Sequence, residues 1–87
     1  MLVYADGELL AKNIRFLRNR RKMSRAEFAN FIPISGAQLH CIERLLIGHI
    51  YLDALNNISQ IYGIPSEEIL TEDLEQKYRG KRFHYNR

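Results

Sequence analysis

Two helix boundaries nine residues apart constrain the fold of this chain more than any other feature. Ser24 and Glu27 form the motif S-x-x-E, a capping box in which each side chain binds a free backbone N–H of the other residue. Pro33 ends the segment, because a proline disfavours helical geometry at the residue before it. The segment of about 24–32 is therefore predicted to be a short helix. Its inward apolar residues are Phe28, Ala29 and Ile32.

A longer helix is predicted before this segment. Leu10, Ile14 and Leu17 recur at the spacing of an amphipathic helix, which we place over about residues 8–22. Asp6 and Gly7 precede this stripe and are suited to begin the helix. The basic residues of the same stretch then lie on its outward side.

Three further helices are predicted after Pro33. Ser35 is a second candidate N-cap and begins a helix over about 35–44. Gly63 ends the fourth helix, because glycine readily takes the left-handed conformation of a C-cap, and Pro65 opens the fifth. The apolar positions of these helices are Leu39 and Ile42, then Leu52, Leu55, Ile58 and Ile61 or Tyr62, and finally Ile69, Leu70 and Leu74. With no strand alternation, the predicted fold class is all-α, a compact domain of five helices.

The length of 87 residues allows one small domain, expected over 1–76 and followed by a basic tail over 77–87. No apolar run reaches the roughly 20 residues that cross a bilayer, and the first residues lack the pattern of a secretory signal. Cys41 is the only cysteine, so an internal disulfide is excluded and a reducing cytoplasm is expected. His40, His49 and His84 have no metal-ligand spacing, and no catalytic group of residues stands out. We therefore expect no metal, no cofactor and no enzyme activity.

The formal net charge is only +3, but the charges are segregated along the chain. A stretch without acids contains Lys12, Arg15, Arg18, Arg20, Arg21, Lys22 and Arg25. An acidic block follows much later, with Glu67, Glu68, Glu72, Asp73 and Glu75, and the C-terminus is again basic, with Lys77, Arg79, Lys81, Arg82 and Arg87. Such segregation gives an oriented surface potential that can steer a polyanion, although a solvated helix face produces the same pattern.

The two helices at about 24–32 and 35–44, joined by a tight turn, have helix-turn-helix spacing. Here the sequence resembles the phage-repressor-like helix-turn-helix (XRE) family, which includes the Cro and lambda-type repressors. The resemblance extends from about Leu10 to Leu70 and rests on NIRFLRNRRKMSRAEFANFIPIS, QLHCIER and ISQIYGIPSEEIL, with one extra residue in the 45–51 loop. It implies a lambda-repressor-like fold and a sequence-specific transcriptional regulator, a repressor that binds double-stranded DNA as a homodimer.

The resemblance also implies roles for individual residues, because in this family the second motif helix enters the major groove. Base contacts then fall to Ser35, Gly36, Ala37, Gln38, His40 and Arg44. Phosphate contacts fall to Arg25, Lys12, Arg15, Arg21, Lys22 and Asn30. Gln38 is suited to adenine through paired hydrogen bonds, and Arg44 to guanine or a phosphate. Arg18 and Glu43 match the positions of a structural ion pair between the first and third helices.

Three departures from the family pattern leave a second hypothesis open. Pro33 stands where the family usually has a left-handed glycine, and its φ of about −65° excludes that conformation. Gly36 and Ala37 carry few base-reading atoms, and Leu45 replaces a common glycine after the third helix. The alternative is a helix-turn-helix scaffold with a degenerate DNA-reading face that binds a protein, for example as an antitoxin that binds its toxin.

The apolar loop and the basic tail each keep two interpretations. Leu45, Leu46, Ile47, Ile50 and Tyr51 either form a contact between two copies of the chain or fold back on the core. The tail, QKYRGKRFHYNR, is either an arm that follows phosphates or the minor groove, or a terminus that frays or packs on the body. The N-terminal residues Leu2, Val3 and Tyr4 are candidates to pair with it.

Overall fold

The structure, a computed structural model, describes residues 1–81, which fold into six helices and a two-stranded sheet. In chain order the elements are β1 (Leu2–Tyr4), α1 (Gly7–Arg20), α2 (Arg25–Phe31), α3 (Gly36–Arg44), β2 (His49–Tyr51), α4 (Leu52–Tyr62), α5 (Ser66–Thr71) and α6 (Leu74–Lys77). The mostly helical fold class is confirmed. The described chain has one helix more than the sequence predicts, and its two strands were not predicted.

Side-chain caps determine where the first three helices begin. The carboxylate of Asp6 accepts a hydrogen bond from the backbone N–H of Leu9 in α1, at 2.9 Å. The Ser24 hydroxyl accepts from the N–H of Glu27, and the Glu27 carboxylate accepts from the N–H of Ser24, so the predicted capping box is confirmed. Ser35 caps α3 through its hydroxyl in the same way, as predicted. Loss of one such cap typically costs about 1 kcal/mol.

The turn between α2 and α3 is built without a left-handed residue. The N–H of Ile34 donates to the carbonyl of Ala29 at 3.0 Å, and this bond closes the turn with Pro33 exposed on its outside. Within residues 1–81 the positive φ angles lie elsewhere, at Lys22, Leu46, Gly48, Gly63 and Gly80. Pro33 is therefore accommodated by a turn that differs from the left-handed glycine turn usual in the family.

The small two-stranded sheet is an element that was not predicted from the sequence. β1 and β2 pair antiparallel, with Val3 opposite Ile50 at the centre. Ile50 is fully buried and Val3 packs against the core, whereas Tyr4 and Tyr51 are exposed on the other face. Strands of three residues are too short for a period of two to stand out in a sequence. The N-terminal residues thus pair with the 49–51 segment, and residues 82–87 of the tail, their other candidate partner, lie outside the described residues.

The predicted fifth helix is interrupted, and Asn13 of α1 binds the interruption. Asn13 is fully buried, and its amide nitrogen donates to the carbonyls of Ile69 (2.9 Å) and Glu72 (2.7 Å). Its amide oxygen accepts from the N–H of Leu74 at 3.0 Å. Asp73 then caps α6, because its carboxylate accepts a hydrogen bond from the backbone N–H of Gln76 at 3.2 Å. One buried side chain therefore satisfies the backbone groups that the break between α5 and α6 exposes.

The core lies where α1 packs against the other helices and the inner face of the sheet. Its buried apolar residues include Leu10, Ile14, Leu17, Phe28, Ala29, Ile32, Leu39, Ile42, Ile50, Leu55, Ile58, Tyr62, Ile64, Ile69 and Leu74. The Tyr62 hydroxyl donates to the carbonyl of Leu17 at 2.6 Å, so this large side chain is buried with its polar atom satisfied. Gly63 is the left-handed C-cap of α4, at φ 68°, as predicted.

Candidate nucleic-acid interface

The helix α3 has an inward and an outward side with different chemistry. Leu39, Ile42 and Glu43 are buried on the inward side. The exposed residues are Gly36, Ala37, His40 and Arg44. His40 follows Gly36 and Ala37 by four and three residues and precedes Arg44 by four, so the exposed residues line one side of the helix. The one carboxylate of α3 belongs to Glu43, so the outward side combines small residues, an imidazole and a guanidinium without an acid.

A shallow groove of about 250 Å³ separates the beginnings of α2 and α3 and is lined by Arg25, Ala26, Gly36 and His40. Nη1 of Arg25 lies 3.2 Å from Nδ1 of His40, a contact that joins the two motif helices across the groove. A Cβ on Gly36 would meet no atom within 4 Å, so the glycine leaves open space and is not required by packing. The groove is therefore floored by small residues and bordered by one cationic and one imidazole side chain.

Gln38 lies between the two sides of α3 and is half-buried. Its amide nitrogen donates to the carbonyl of His49 in β2, at 3.3 Å. The sequence could not indicate this contact, because the strand that provides the carbonyl was not predicted. The structure thus gives Gln38 a partner inside the protein, and Ser35 uses its hydroxyl to cap α3.

The inward side of α3 carries a buried ion-pair cluster around Glu43. Arg18 of α1 donates to both Glu43 oxygens, from Nη2 to Oε1 at 2.8 Å and from Nε to Oε2 at 3.1 Å. Nη1 of Arg18 also donates to the carbonyl of Met23, at 3.0 Å. Arg15 donates to the Glu43 carbonyl at 3.1 Å and places Nε 3.9 Å from the carboxylate. Two cations of α1 therefore hold the end of α3.

This cluster orients α3 more than it stabilises the fold. Glu43 is only 3% exposed, so its charge depends on the bidentate pair with Arg18 for compensation. A buried pair roughly offsets its own desolvation cost, whereas removing one partner leaves an uncompensated charge. The planar fork of Arg18 accepts few geometries, and the angle between α1 and α3 is fixed accordingly.

Two of the predicted phosphate-binding cations have acidic or carbonyl partners inside the chain. Lys12 lies 2.7 Å from Asp73 and 3.8 Å from Glu75. The hydrogen bond between Lys12 and Asp73 raises the pKa of Lys12 and lowers the pKa of Asp73. Arg15 is directed to Glu43, as described above. The structure thereby brings part of the basic first helix against the acidic block near α6.

The remaining phosphate candidates lie on or near the surface of the motif. The guanidinium of Arg21 stacks over the ring of Phe31, with 4.6 Å between its central carbon and the ring centroid. Lys22 is exposed in the turn after α1 and takes φ 54°. Asn30 is exposed on α2, and Arg25 lies in the groove with His40. These residues remain candidates for phosphate contact.

The residues of the apolar loop differ in burial: some pack against the core and others remain exposed. Ile50 is fully buried and Ile47 packs against the core, so these two residues fold back. Leu45, Leu46 and Tyr51 remain exposed, at 61%, 43% and 50% respectively. Leu46 also takes φ 55°, a left-handed conformation unusual for a leucine. An exposed apolar surface thus remains beside the outer face of the sheet.

The first residues of the tail lie against the body of the domain. Tyr78 packs against the core, and its hydroxyl donates to Oε1 of Glu68 at 2.7 Å. Arg20 of α1 donates to the carbonyl of Lys81. The other basic and aromatic residues of the tail, Arg82, Phe83, His84, Tyr85 and Arg87, lie outside the described residues.

Among residues 1–81, no group of three or more His, Cys, Asp or Glu side chains is placed to hold a metal ion. Nor does this part of the chain contain a helix long and apolar enough to span a membrane. Cys41 is half-buried on α3 as a free thiol. His40 and Glu43 are three residues apart on α3, but His40 is exposed whereas Glu43 is buried and paired with Arg18.

Asn13 is the important residue that sequence reasoning missed. A signal was present, because Asn13 occupies an inward position of the α1 stripe between Leu10 and Ile14. A polar residue at such a position must find buried partners. The partners themselves could not be predicted, since they are backbone groups of the unpredicted break between α5 and α6.

Comparison with solved structures gives two similar folds. The restriction-modification controller protein C.AhdI from Aeromonas hydrophila matches with a TM-score of 0.56 at 16% identity, over 70% of this chain and 91% of that protein. A hypothetical transcription factor, NHTF, from Neisseria matches with a TM-score of 0.62 at 21% identity, over 86% of this chain and 91% of that one. No protein-family model and no curated protein sequence matches the chain. The chain therefore shares the fold of a controller protein and a transcription factor, and the helix-turn-helix fold implied by the family resemblance is confirmed.

Proposed function

We propose that this chain is a cytoplasmic DNA-binding regulator of transcription, a repressor whose helix α3 enters the major groove. The observation that carries the proposal is the outward side of α3, where Gly36, Ala37, His40 and Arg44 are exposed together without a carboxylate. A protruding helix with small and basic residues fits a groove lined by phosphates. The shared fold with two regulators supports the same class of function.

The inward side of α3 supports the proposal through its rigidity. Base reading requires a helix whose side chains reach base edges within a fraction of an ångström of the right place. Arg18 and Arg15 hold the end of α3 through Glu43, and Leu39 and Ile42 hold its middle. The helix is therefore organised before it meets DNA, and little binding energy is lost in ordering it.

We propose that phosphate contacts come mainly from Arg25, Arg21, Lys22 and Asn30. Arg25 begins α2 beside the groove, and the others lie at the ends and exposed side of α1 and α2. Lys12 and Arg15 are weaker candidates, because they already contact carboxylates or carbonyls of the protein. Base contacts would come from the exposed residues of α3, with Ser35 and Gln38 limited by the hydrogen bonds that they already make.

The exposed apolar residues favour a second copy of the chain as a partner. A homodimer would present two α3 helices to two half-sites of a symmetric operator. Tyr4, Leu45, Leu46 and Tyr51 supply apolar surface for such a contact. The same residues are the observation that favours the alternative function, a scaffold that binds a different protein, such as the toxin partner of an antitoxin.

Selection of bound DNA fragments at near-physiological salt, followed by a salt titration, tests the proposal. We expect a repeated, roughly palindromic site and an affinity that falls steeply with salt, because phosphate contacts release counterions. The Arg44→Ala variant should weaken binding to this site about tenfold. The control variant Arg79→Ala, an exposed arginine that follows α6 and has no role in the proposed interface, should change it less than about twofold. Weak binding without sequence preference, equally reduced by both variants, would contradict the proposal.

A further inference from the structure

The contact between Arg25 and His40 assigns the protons of the His40 ring. The distance from Nη1 of Arg25 to Nδ1 of His40 is 3.2 Å. An arginine side chain is always charged and has only donors, so Nδ1 of His40 must be the acceptor in this bond. An imidazole that accepts at Nδ1 is neutral and carries its proton on Nε2. The contact with Arg25 therefore favours the tautomer whose Nε2–H faces away from the Arg25 bond.

The position of His40 makes this proton available to a ligand. His40 is exposed at the middle of the outward side of α3, one turn from Gly36 and one turn from Arg44. The groove beside it is floored by Ala26 and Gly36, and a Cβ on Gly36 would find no atom within 4 Å. Small residues on this floor allow a nucleic acid to approach the imidazole closely.

A single donor in this place discriminates between bases. In the major groove guanine presents two acceptors, N7 and O6, whereas adenine presents an amino donor beside N7 and cytosine presents an amino donor. The positive charge of Arg25 next to the ring further favours an edge that carries acceptors only. Thymine offers O4 but adds a methyl group, which a polar N–H contacts poorly.

We propose that Arg25 and His40 act as one unit that reads a guanine. His40 donates from Nε2–H to the guanine edge, and Arg25 is the positioning residue that fixes the tautomer and orientation of the ring. The remaining N–H groups of Arg25 bind the neighbouring phosphate, so the residue links backbone contact to base reading. This inference rests on the proposed DNA-binding function and adds the identity of one base and the residue that reads it.

The tautomer is tested first, without DNA. In a two-bond ¹⁵N–¹H spectrum of the whole chain, His40 should show a protonated Nε2 and an unprotonated, hydrogen-bonded Nδ1. The Arg25→Ala variant should show an increased fraction of the Nδ1–H form, and the control variant Lys22→Ala should not. A wild-type ring protonated mainly on Nδ1, or a spectrum unchanged by Arg25→Ala, would overturn the positioning role even if the chain binds DNA.

The reading role is tested on the DNA site recovered by selection. At one guanine, replacement by adenine or by 7-deazaguanine should weaken wild-type binding about tenfold. His40→Ala and Arg25→Ala should each abolish this preference at the same base pair, and the double variant should lower the preference no further. Arg25→Ala that reduces affinity equally on every sequence and keeps the preference would overturn the proposal, because Arg25 would then bind phosphate alone. If no site is recovered, the proposed function fails together with the reading role, whereas the tautomer result stands separately.

Discussion

The two sides of α3 differ in what they require of the rest of the chain. The inward side is specified by other elements: Arg15 and Arg18 reach Glu43 from α1, and the core surrounds Leu39 and Ile42. The outward side makes few contacts, and within residues 1–81 the hydrogen bond that joins it to another helix is the one between His40 and Arg25. The difference implies that the two sides have separate roles: the inward side sets the angle of the helix, and the outward side selects the ligand. Substitutions on the two sides should therefore separate stability from binding.

Removing Glu43 should have the largest effect. In the Glu43→Ala variant Arg18 loses both carboxylate contacts, and the loss of one partner of a buried pair costs about 3 kcal/mol of unfolding free energy. Affinity for DNA should also fall in the fraction that remains folded, because α3 loses its orientation. Urea denaturation measures the first effect and titration at low temperature the second. A loss of stability below about 1 kcal/mol would mean that the pair does not hold α3.

Asn13 provides a sharper version of the same comparison, because it is buried but does not touch α3. The Asn13→Ala variant leaves the carbonyls of Ile69 and Glu72 and the N–H of Leu74 without their partner. We expect a loss of about 2 kcal/mol in unfolding free energy, since an unsatisfied buried polar group costs about 1–3 kcal/mol. The affinity of the folded fraction should stay the same. A drop in that affinity as large as the one for Glu43→Ala would remove the special role given to the Glu43 cluster.

Leu46 tests the loop that follows α3, with an effect of the opposite sign. Leu46 takes φ 55°, a conformation that costs a residue with a Cβ about 1 kcal/mol relative to glycine. Leu46→Gly should therefore raise the unfolding free energy by about 0.5–1 kcal/mol, and Leu45→Gly, at φ −99°, should lower it. If the homodimer uses this surface, the more stable Leu46→Gly variant should dimerise less, as sedimentation would show. Equal dimerisation by the variant and the parent chain would locate the interface elsewhere.

The Gly36→Ala substitution should give the smallest change in stability. It should raise stability while it weakens DNA binding, so the two effects are clearly separated. A Cβ at this position enters open space, and alanine favours the helical state over glycine, so Gly36→Ala should raise the unfolding free energy by a few tenths of a kcal/mol, to about 0.5 kcal/mol. The added methyl group narrows the groove beside His40, and binding to the selected DNA site should weaken. A variant that is more stable and binds as well as the parent chain would show that DNA does not approach this groove.

Much of the fold was predictable because it is encoded by local signals. The capping box at Ser24, the N-cap at Ser35 and the left-handed Gly63 depend on a few neighbouring residues, and all three were confirmed. Pro33 in turn excluded a left-handed turn, and the structure has none at that place. These features each follow from the chemistry of residues within one or two turns of the chain.

The rest depends on contacts between distant residues. β1 and β2 are short strands separated by residues 5–48 of the chain, and neither strand contains a pattern that predicts the pairing. The half-burial of Gln38 follows from that sheet, because its partner is the carbonyl of His49. The break between α5 and α6 likewise depends on Asn13, more than 50 residues earlier in the chain. The residues of the candidate site were identified by the family resemblance. Which of them already make hydrogen bonds inside the protein depends on these contacts between distant residues.

The central claim is that the outward side of α3 is the surface that binds DNA. Backbone amide shifts of ¹⁵N-labelled protein, recorded while a duplex containing the selected site is added, test it directly. We expect the largest shifts at Gly36, Ala37, His40 and Arg44 and at Arg25, with little change at Glu67 and Thr71 of α5. Shifts concentrated on β1, β2 and Leu45, with α3 unchanged, would contradict the claim and favour the scaffold that binds a protein.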